Sequence, residues 1–142
     1  PIEDLRNHGL ECKNMKHIRT CGVLATVTLS STAFAATHIV DIAWPPDDRF
    51  AHKAQIEAGK FVEVCGKLAV GTGVRWSFTT GAPVDFNIHY HQGDNVTYPV
   101  KSNGQREGKG RFKAAAGEDY CWMWSNKSSS RVRVDVLLQR QS

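Results

Sequence analysis

The 142-residue chain lacks the short motifs that mark the common enzyme classes. It contains no G-x-S-x-G, H-E-x-x-H, C-x-x-C, P-loop or G-x-G-x-x-G pattern, so none of the corresponding catalytic or nucleotide-binding sites is encoded in its usual form. Its paired carboxylates, Asp47-Asp48 and Glu118-Asp119, are sequence neighbours, and neighbouring strand residues point to opposite faces. The chain is therefore predicted not to be an enzyme.

A strong charge of one sign is also missing. Lys and Arg together number 18 against 14 Asp and Glu, which gives a formal net charge of +4. The basic residues are scattered along the chain, and Arg131 and Arg133 are the only close pair on one strand face. Nucleic-acid binding needs a denser basic patch than this. No nucleic-acid partner is therefore predicted.

Long apolar runs are absent except near the start of the chain. Met15 is the first methionine, and it opens a basic segment, MKHIR, followed by an apolar, small-residue segment that ends in an A-x-A site at Ala35. This order predicts a signal peptide over residues 15–35, preceded by an upstream segment, 1–14, that is not part of the natural protein. Residues 36–142 then form one mature domain. We expect this domain to be periplasmic or secreted and to have no transmembrane segment.

Cysteine is scarce, with four in the whole chain. Cys12 and Cys21 lie in the segments predicted to be removed, which leaves Cys65 and Cys121 in the mature domain. An even pair in an oxidising compartment predicts a disulfide, which we expect to staple two facing sheets together. Two free thiols or a metal-binding pair are the alternatives.

Short segments of alternating apolar and polar residues, separated by turn residues, fill the mature domain. The clearest are Val74–Phe78 and Val84–Tyr90, which predict two half-buried strands. Between them Gly81-Ala82-Pro83 is interpreted as a turn, Lys101–Lys109 as a polar loop, and Phe50–Ile56 as either a strand or a helical turn. This spacing predicts an all-β, antiparallel β-sandwich.

The order of these segments resembles the GOLD (Golgi-dynamics) domain, a lumenal β-sandwich of eukaryotic secretory cargo receptors. A Cys-bearing strand with a Gly turn is followed by V-x-W-x-F, D-F-N-I, a Gly-bearing loop, Y-C-x-x-x-S-N and a final alternating strand, over about Phe61–Leu138. The resemblance implies that Cys65 bonds to Cys121 next to the Ser125-Asn126 turn. Since no membrane-length run or coiled coil follows, it implies a bacterial exported version of unassigned role.

The most distinctive local pattern is the pair His89 and His91. Residues two apart on a strand project from the same face, here in one row with Asn87 and Asp85. Two imidazoles so placed could share Cu²⁺ or Zn²⁺ if other strands add ligands. Met123 offers a soft thioether but is expected to point away from the flanking tryptophans. A solvated polar face without metal is the alternative.

Three aromatic residues alternate along the strand that contains Cys121. Tyr120, Trp122 and Trp124 share one face, which either fills the core or forms an exposed platform for a sugar, a peptide or a partner strand. The core interpretation is favoured, because large aromatic side chains are usually buried.

Two N-x-S/T sequons complete the set of motifs. They begin at Asn95 and Asn126 and would be glycosylation acceptors in a eukaryotic secretory pathway.

Together these patterns predict an exported, disulfide-bonded β-sandwich that acts as a non-catalytic binding or interaction module without a cofactor. Its partner would be an envelope protein or a small ligand. The alternative is a periplasmic copper or zinc protein that uses His89 and His91.

Overall fold

The computed structural model describes residues 38–141. The predictions for the upstream segment, the signal peptide, Cys12 and Cys21 lie outside the described residues. The described part consists of seven strands: β1 (His38–Asp41), β2 (Arg49–Ile56), β3 (Phe61–Lys67), β4 (Gly73–Gln92), β5 (Asn95–Lys113), β6 (Asp119–Ser125) and β7 (Val132–Gln141). In this part of the chain, no helix has the length and apolar character of a membrane span.

One long hairpin organises the sheet. Strands β4 and β5 contain 20 and 19 residues, and they pair along their length through a tight turn in which Gly93 has a φ of 57°. On its other edge, β4 pairs with β7 over 73–80 and with β6 over 85–90. The hairpin therefore belongs to both halves of the fold.

The strands form one curled sheet in the order β1-β3-β6-β4-β7-β2, with β5 paired to β4. Strands β1, β3, β6 and the second half of β4 make the first layer; β2, β7 and the first half of β4 make the second layer. All strand pairs are antiparallel except β1 with β3, which is parallel. The predicted all-β sandwich is confirmed, with this one parallel edge as the difference.

Even-numbered residues of β4, β6 and β7 fill a single core between the two layers. Tyr120, Trp122 and Trp124 are at most 1% exposed, so the core interpretation of these aromatics is confirmed. Phe78 from the second-layer half of β4 and Phe86 from the first-layer half lie 5.7 Å and 5.4 Å from Trp124 between ring centroids. Burial of each such ring stabilises the fold by about 2 kcal/mol or more.

The predicted polar loop over Lys101–Lys109 is wrong, because the whole segment lies within β5. The glycines of this segment led to the prediction of a loop, and the same glycines allow the segment to pair with β4. Gly110 lies opposite Trp76, and a Cβ at Gly110 would come within 2.6 Å of the indole ring. Gly108 lies opposite Phe78 in the same way, with a distance of 2.5 Å. Glycine in this strand leaves room for the aromatic rings of the opposite strand. Local sequence rules, in contrast, interpret glycine as a sign of a turn.

The predicted turn at Gly81-Ala82-Pro83 is also wrong, since β4 continues through it. The register between β4 and β5 shifts between Thr79 and Val84, which marks an irregularity of the β-bulge kind. Bulges accept proline because they interrupt the ladder of backbone hydrogen bonds. The segment Phe50–Ile56, for which strand and helical turn were both open, is strand β2.

The disulfide between Cys65 and Cys121 is present, but it does not join the two layers as expected. The two residues are directly opposite each other on adjacent strands β3 and β6, with a Cα–Cα distance of 4.1 Å. Both side chains point to the outer face of the first layer, because the alternate residues Val64 and Trp122 are the ones buried in the core. The bond therefore locks the pairing of β3 with β6.

A fully buried amide connects two turns at one end of the sandwich. Asn126 Nδ2 donates to the carbonyl oxygens of Ile56, Glu57 and Ser130 at 3.0, 3.2 and 2.7 Å, and its Oδ1 accepts from the backbone N–H and hydroxyl of Ser128. This use of Nδ2 is incompatible with glycosylation of Asn126 in the folded protein. Asn95, in the other sequon, is exposed.

Candidate functional site

The two predicted histidines lie on the outer face of the first layer, which we call the histidine face. Odd-numbered residues of β4 point outward there, and they place Asn87, His89 and His91 in one row. Met123 of β6 lies directly beside Asn87 and also beside Glu63 of β3. As expected, Met123 points away from the two flanking tryptophans, which are in the core.

Although it points outward, His89 is only 6% exposed. The ring of Tyr98, from β5, lies 5.6 Å from the imidazole ring of His89, and the ring of His91 lies 5.4 Å from it. Nδ1 of His89 is 2.8 Å from Oδ1 of Asn87. Since a carboxamide oxygen only accepts, Nδ1 carries the proton in this pairing and the lone pair of the neutral ring is on Nε2.

That lone pair faces a carboxylate. Nε2 of His89 is 3.7 Å from Oε2 of Glu63, whose side chain is 13% exposed. Within residues 38–141, the Glu63 carboxylate accepts no hydrogen bond from any side chain or backbone N–H. Two lone pairs directed at each other favour a proton or a cation between them.

Burial dominates the electrostatics of this pair. Burial raises the pKa of Glu63, and the nearby His91 opposes this shift. Burial lowers the pKa of His89, and His91 adds to that shift. Both pKa shifts favour the uncharged forms of the two side chains. The cost of removing a charge from water is larger than the electrostatic attraction that the partner provides.

The predicted metal role of His89 and His91 gains one further ligand group on this face. The ligand atoms of Glu63, His89 and Cys121 lie within 4.8 Å of one another. The sulfur of Cys121 is bonded to Cys65 and is therefore not a thiolate. The oxygen and nitrogen donors that remain in this group are Glu63 and His89, and the ring of the exposed His91 lies 5.4 Å from that of His89. Carboxylate and imidazole donors suit Zn²⁺ or Cu²⁺.

Sequence reasoning missed Glu63 as a member of this site. The alternation of Val62, Glu63 and Val64 indicates that the carboxylate points outward. Bringing it next to His89, however, requires the pairing of β3 with β6 and of β6 with β4. Local sequence patterns do not encode that long-range pairing.

The histidine face is partly apolar. Among the described residues, four large hydrophobic side chains are exposed, and three of them, Ile39, Val96 and Tyr98, belong to this face. The fourth, Val70, follows β3 and lies outside the strands. Met123 and the disulfide lie between Ile39 on one edge and Tyr98 on the other.

Acidic residues surround these apolar groups. Apart from the largely buried Glu63, the outward-pointing charged residues of the first layer are three carboxylates and two lysines: Asp41, Asp85, Asp119, Lys67 and Lys101. The face therefore combines exposed apolar side chains with an acidic surround. Acidic groups at the rim favour a basic partner by steering and complementarity.

Neither a protein-family model nor a curated protein sequence matches the chain. Solved structures do share its fold. PliG of Aeromonas hydrophila, a periplasmic lysozyme inhibitor of g-type lysozyme, matches with a TM-score of 0.57 at 11% identity, over 73% of this chain and 96% of that one. PliG of Salmonella Typhimurium, also a periplasmic inhibitor of g-type lysozyme, matches with a TM-score of 0.58 at 12% identity, over 75% and 100%.

The Yersinia pseudotuberculosis-derived mitogen matches with a TM-score of 0.52 at 13% identity, over 66% of this chain and 86% of that one. At such low identities these likenesses establish an all-β fold of this type and nothing about the site. The resemblance to the GOLD domain is compatible with this fold, and it stays a prediction.

Proposed function

We propose that the protein is an exported, non-catalytic module that binds a basic protein through its histidine face. The observation that carries the proposal is the grouping of Ile39, Val96 and Tyr98, three of the four exposed large hydrophobic side chains of the described part, on one acidic face. Val96 and Tyr98 lie on β5 at one edge of this face and Ile39 lies on β1 at the other, with Met123 and the disulfide between them. Exposed apolar side chains gathered on one face favour a protein–protein contact more than side chains spread over the whole surface do.

The fold neighbours support the class of function and the location. The PliG proteins are periplasmic and inhibit g-type lysozyme, so a sandwich of this kind can act by occupying another protein. The predicted signal peptide fits the same compartment. G-type lysozyme is accordingly the first partner to test.

The anchors of the contact would be Tyr98 and Ile39. Tyr98 is 49% exposed and Ile39 is 59% exposed, so each has a large area to bury. Tyrosine is a frequent interface anchor because it combines a rigid ring with a polar end. The ammonium group of Lys101 lies 5.3 Å from the centre of the Tyr98 ring, within the range of a cation–π contact.

The test uses purified mature protein, g-type lysozyme and two variants. Calorimetry and a cell-lysis assay should detect binding by the natural protein, and Ile39→Ser combined with Tyr98→Ala should weaken it at least about tenfold, as expected for interface anchors. Val70→Ser is the matched control, since Val70 is 69% exposed and lies off the face. Binding that is equal in both variants would refute the assigned surface, and no binding by the natural protein would refute lysozyme as the partner.

A second candidate function is transition-metal binding, which one specific observation favours. The Glu63 carboxylate and the free Nε2 of His89 face each other at 3.7 Å, and Asn87 fixes the His89 ring through Nδ1. A ligand histidine usually has its other nitrogen held in this way by a hydrogen bond. Glu63, His89 and His91 would then hold Zn²⁺ or Cu²⁺.

Calorimetric titration with Zn²⁺ and Cu²⁺ tests this candidate. The combination His89→Ala with His91→Ala should abolish binding, and Glu63→Gln should weaken it, because an amide is a much poorer ligand than a carboxylate. His52→Ala, which removes an imidazole from the opposite layer, is the matched control. Equal heats from the natural protein and the double variant would end the metal hypothesis.

A further inference from the structure

The outer face of the second layer has the opposite character to the histidine face, and we call it the basic face. Strand register arranges its side chains in rows that cross four strands. One row consists of Arg49, Gln139, Arg75 and Arg111, and the next consists of Ala51, Leu137, Ser77 and Lys109. The outward direction of these residues follows from the burial of their neighbours in the core.

Basic groups dominate this face. Seven basic side chains, Arg49, Lys53, Arg75, Lys109, Arg111, Lys113 and Arg133, share it with two carboxylates, Glu107 and Asp135. Asp135 is already occupied by Arg133 and Lys53, at 2.8 Å and 3.7 Å. Glu107 lies opposite Thr79, one row beyond Lys109 and two beyond Arg111.

Five of these cations form no ion pair within residues 38–141, among them Arg75, Lys109 and Arg111. Arg75 is moreover the direct cross-strand neighbour of Arg111. Like charges directly opposite each other on antiparallel strands destabilise the pairing. An arrangement that is unfavourable for folding but concentrates guanidinium groups favours a ligand that supplies the missing negative charge.

The same cations border an open groove of about 450 Å³. Its lining includes Arg75, Arg111 and Lys109, together with the half-buried Ser77 and Leu137. Gln139 also lines it, but its amide nitrogen already donates to the carbonyl of Asp47. Basic donors, one hydroxyl and an apolar floor are therefore available to a single small ligand.

We propose that this groove binds a phosphate-bearing ligand. Arg75 and Arg111 would hold the phosphate oxygens, since the planar guanidinium matches this geometry with two parallel hydrogen bonds. Lys109 would add charge, Ser77 a hydroxyl donor, and Leu137 an apolar contact for the organic part. The site is separate from the histidine face, because the core of the sandwich lies between them.

Titration calorimetry with inorganic pyrophosphate at low ionic strength tests the proposal. The natural protein should bind it, and Arg75→Gln combined with Arg111→Gln should weaken binding at least about tenfold, the expected loss for charge-assisted hydrogen bonds. Lys60→Gln combined with Lys127→Gln is the matched control. It removes the same charge from exposed turn residues elsewhere and should change the affinity less than about twofold.

The possible outcomes lead to different conclusions. Loss of binding in the arginine variant alone supports the groove, whereas equal weakening in both variants, or no binding by the natural protein, overturns it. Vesicles of phosphatidylglycerol, beside vesicles of phosphatidylcholine, distinguish a lipid headgroup from a free phosphate. Binding to anionic vesicles without binding to pyrophosphate would indicate general surface charge and would also overturn the proposal. The arginine variant should melt no lower than the natural protein, because it removes a repulsive pair.

Discussion

Asn126→Asp is the substitution for which the structure makes its sharpest prediction. The change keeps the size and shape of the side chain but replaces the Nδ2 donor with an oxygen. That oxygen would face the carbonyls of Ile56, Glu57 and Ser130, all within 3.2 Å of the present nitrogen. The attraction between the Nδ2 donor and these carbonyl oxygens would become a repulsion between oxygens. Because the side chain is fully buried, water could not relieve it.

The expected cost follows from the hydrogen bonds that the substitution removes. Two N–H donors disappear, the carbonyls they served become unsatisfied, and a charge is buried without a cation. Broken hydrogen bonds of about 1 kcal/mol each and stranded buried groups of about 1–3 kcal/mol give a loss of about 4 kcal/mol. A domain of this size has about 5–15 kcal/mol in total. The variant should therefore keep about 1–11 kcal/mol and unfold at a clearly lower urea concentration than the natural protein.

Urea unfolding followed by tryptophan fluorescence measures this loss, because all four tryptophans, Trp44, Trp76, Trp122 and Trp124, lie in or against the core. Asn95→Asp is the matched control, since Asn95 is exposed, and it should change stability by less than about 0.5 kcal/mol. The loss at Asn126 should shrink in acid, where the introduced carboxyl is protonated and regains one donor. A loss below about 1 kcal/mol at pH 7 would refute the role assigned to Asn126.

Three further predictions concern the strands. Gly110→Ala should cost about 2 kcal/mol through overlap with the Trp76 ring, whereas Gly117→Ala, with nothing within 4 Å of the new methyl group, should cost little; similar melting temperatures would contradict this. Cys65→Ser combined with Cys121→Ser should lower the free energy of unfolding by about 4 kcal/mol. Reductant should destabilise the natural protein and leave the double variant unchanged; if reductant still destabilised the variant, this disulfide would not be the source of the effect. Because burial raises the pKa of Glu63, its uncharged form stabilises the fold below pH 4.5, and this contribution is lost as pH rises through the folded-state pKa. Glu63→Gln should thus raise the melting temperature at pH 7 and not at pH 4; an equal rise at both pH values would show that charge is not the cause.

Much of the fold is predictable because alternation of apolar and polar residues reports burial directly. The segments Val74–Phe78 and Val84–Tyr90 alternate cleanly, and both are strands in the structure. Alternation does not show whether two neighbouring segments belong to one strand or to two. The two segments belong to one strand, because the Gly81–Pro83 stretch accommodates a register irregularity where a turn was expected. Glycine and proline indicate an interruption of regular pairing, and a bulge satisfies that requirement as well as a turn does.

The glycines of β5 illustrate a second limit. Gly108 and Gly110 make the segment look like a loop, since glycine is unfavourable in strands. Their role depends on Trp76 and Phe78, which are distant in the sequence and directly opposite in the sheet. A favourable aromatic–glycine pairing across strands therefore overrides local propensity, and only the register reveals it.

The same distinction applies to the candidate sites. That His89 and His91 share a face follows from the two-residue spacing alone, and the structure agrees. That His89 is buried while pointing outward does not follow, because Tyr98 and Glu63 reach it from strands distant in sequence. The basic face was missed for a related reason. Arg75 and Arg111 are far apart in the chain, so counting clustered basic residues along the sequence finds only Arg131 and Arg133.

Strand β4 contributes to both candidate binding surfaces, which has a physical consequence for how they interact. Its odd-numbered residues point to the basic face at Arg75 and to the histidine face at His89, since the strand passes from one layer to the other. Each half of β4 is paired on both edges, with β5 and β7 over 73–79 and with β5 and β6 over 86–90. Energetic coupling requires an element with two arrangements, and each half of this strand has one. The arginine variant should therefore leave binding at the histidine face unchanged, and the Ile39→Ser/Tyr98→Ala variant should leave pyrophosphate binding unchanged. A cross-effect above about threefold would show that the two layers move relative to each other.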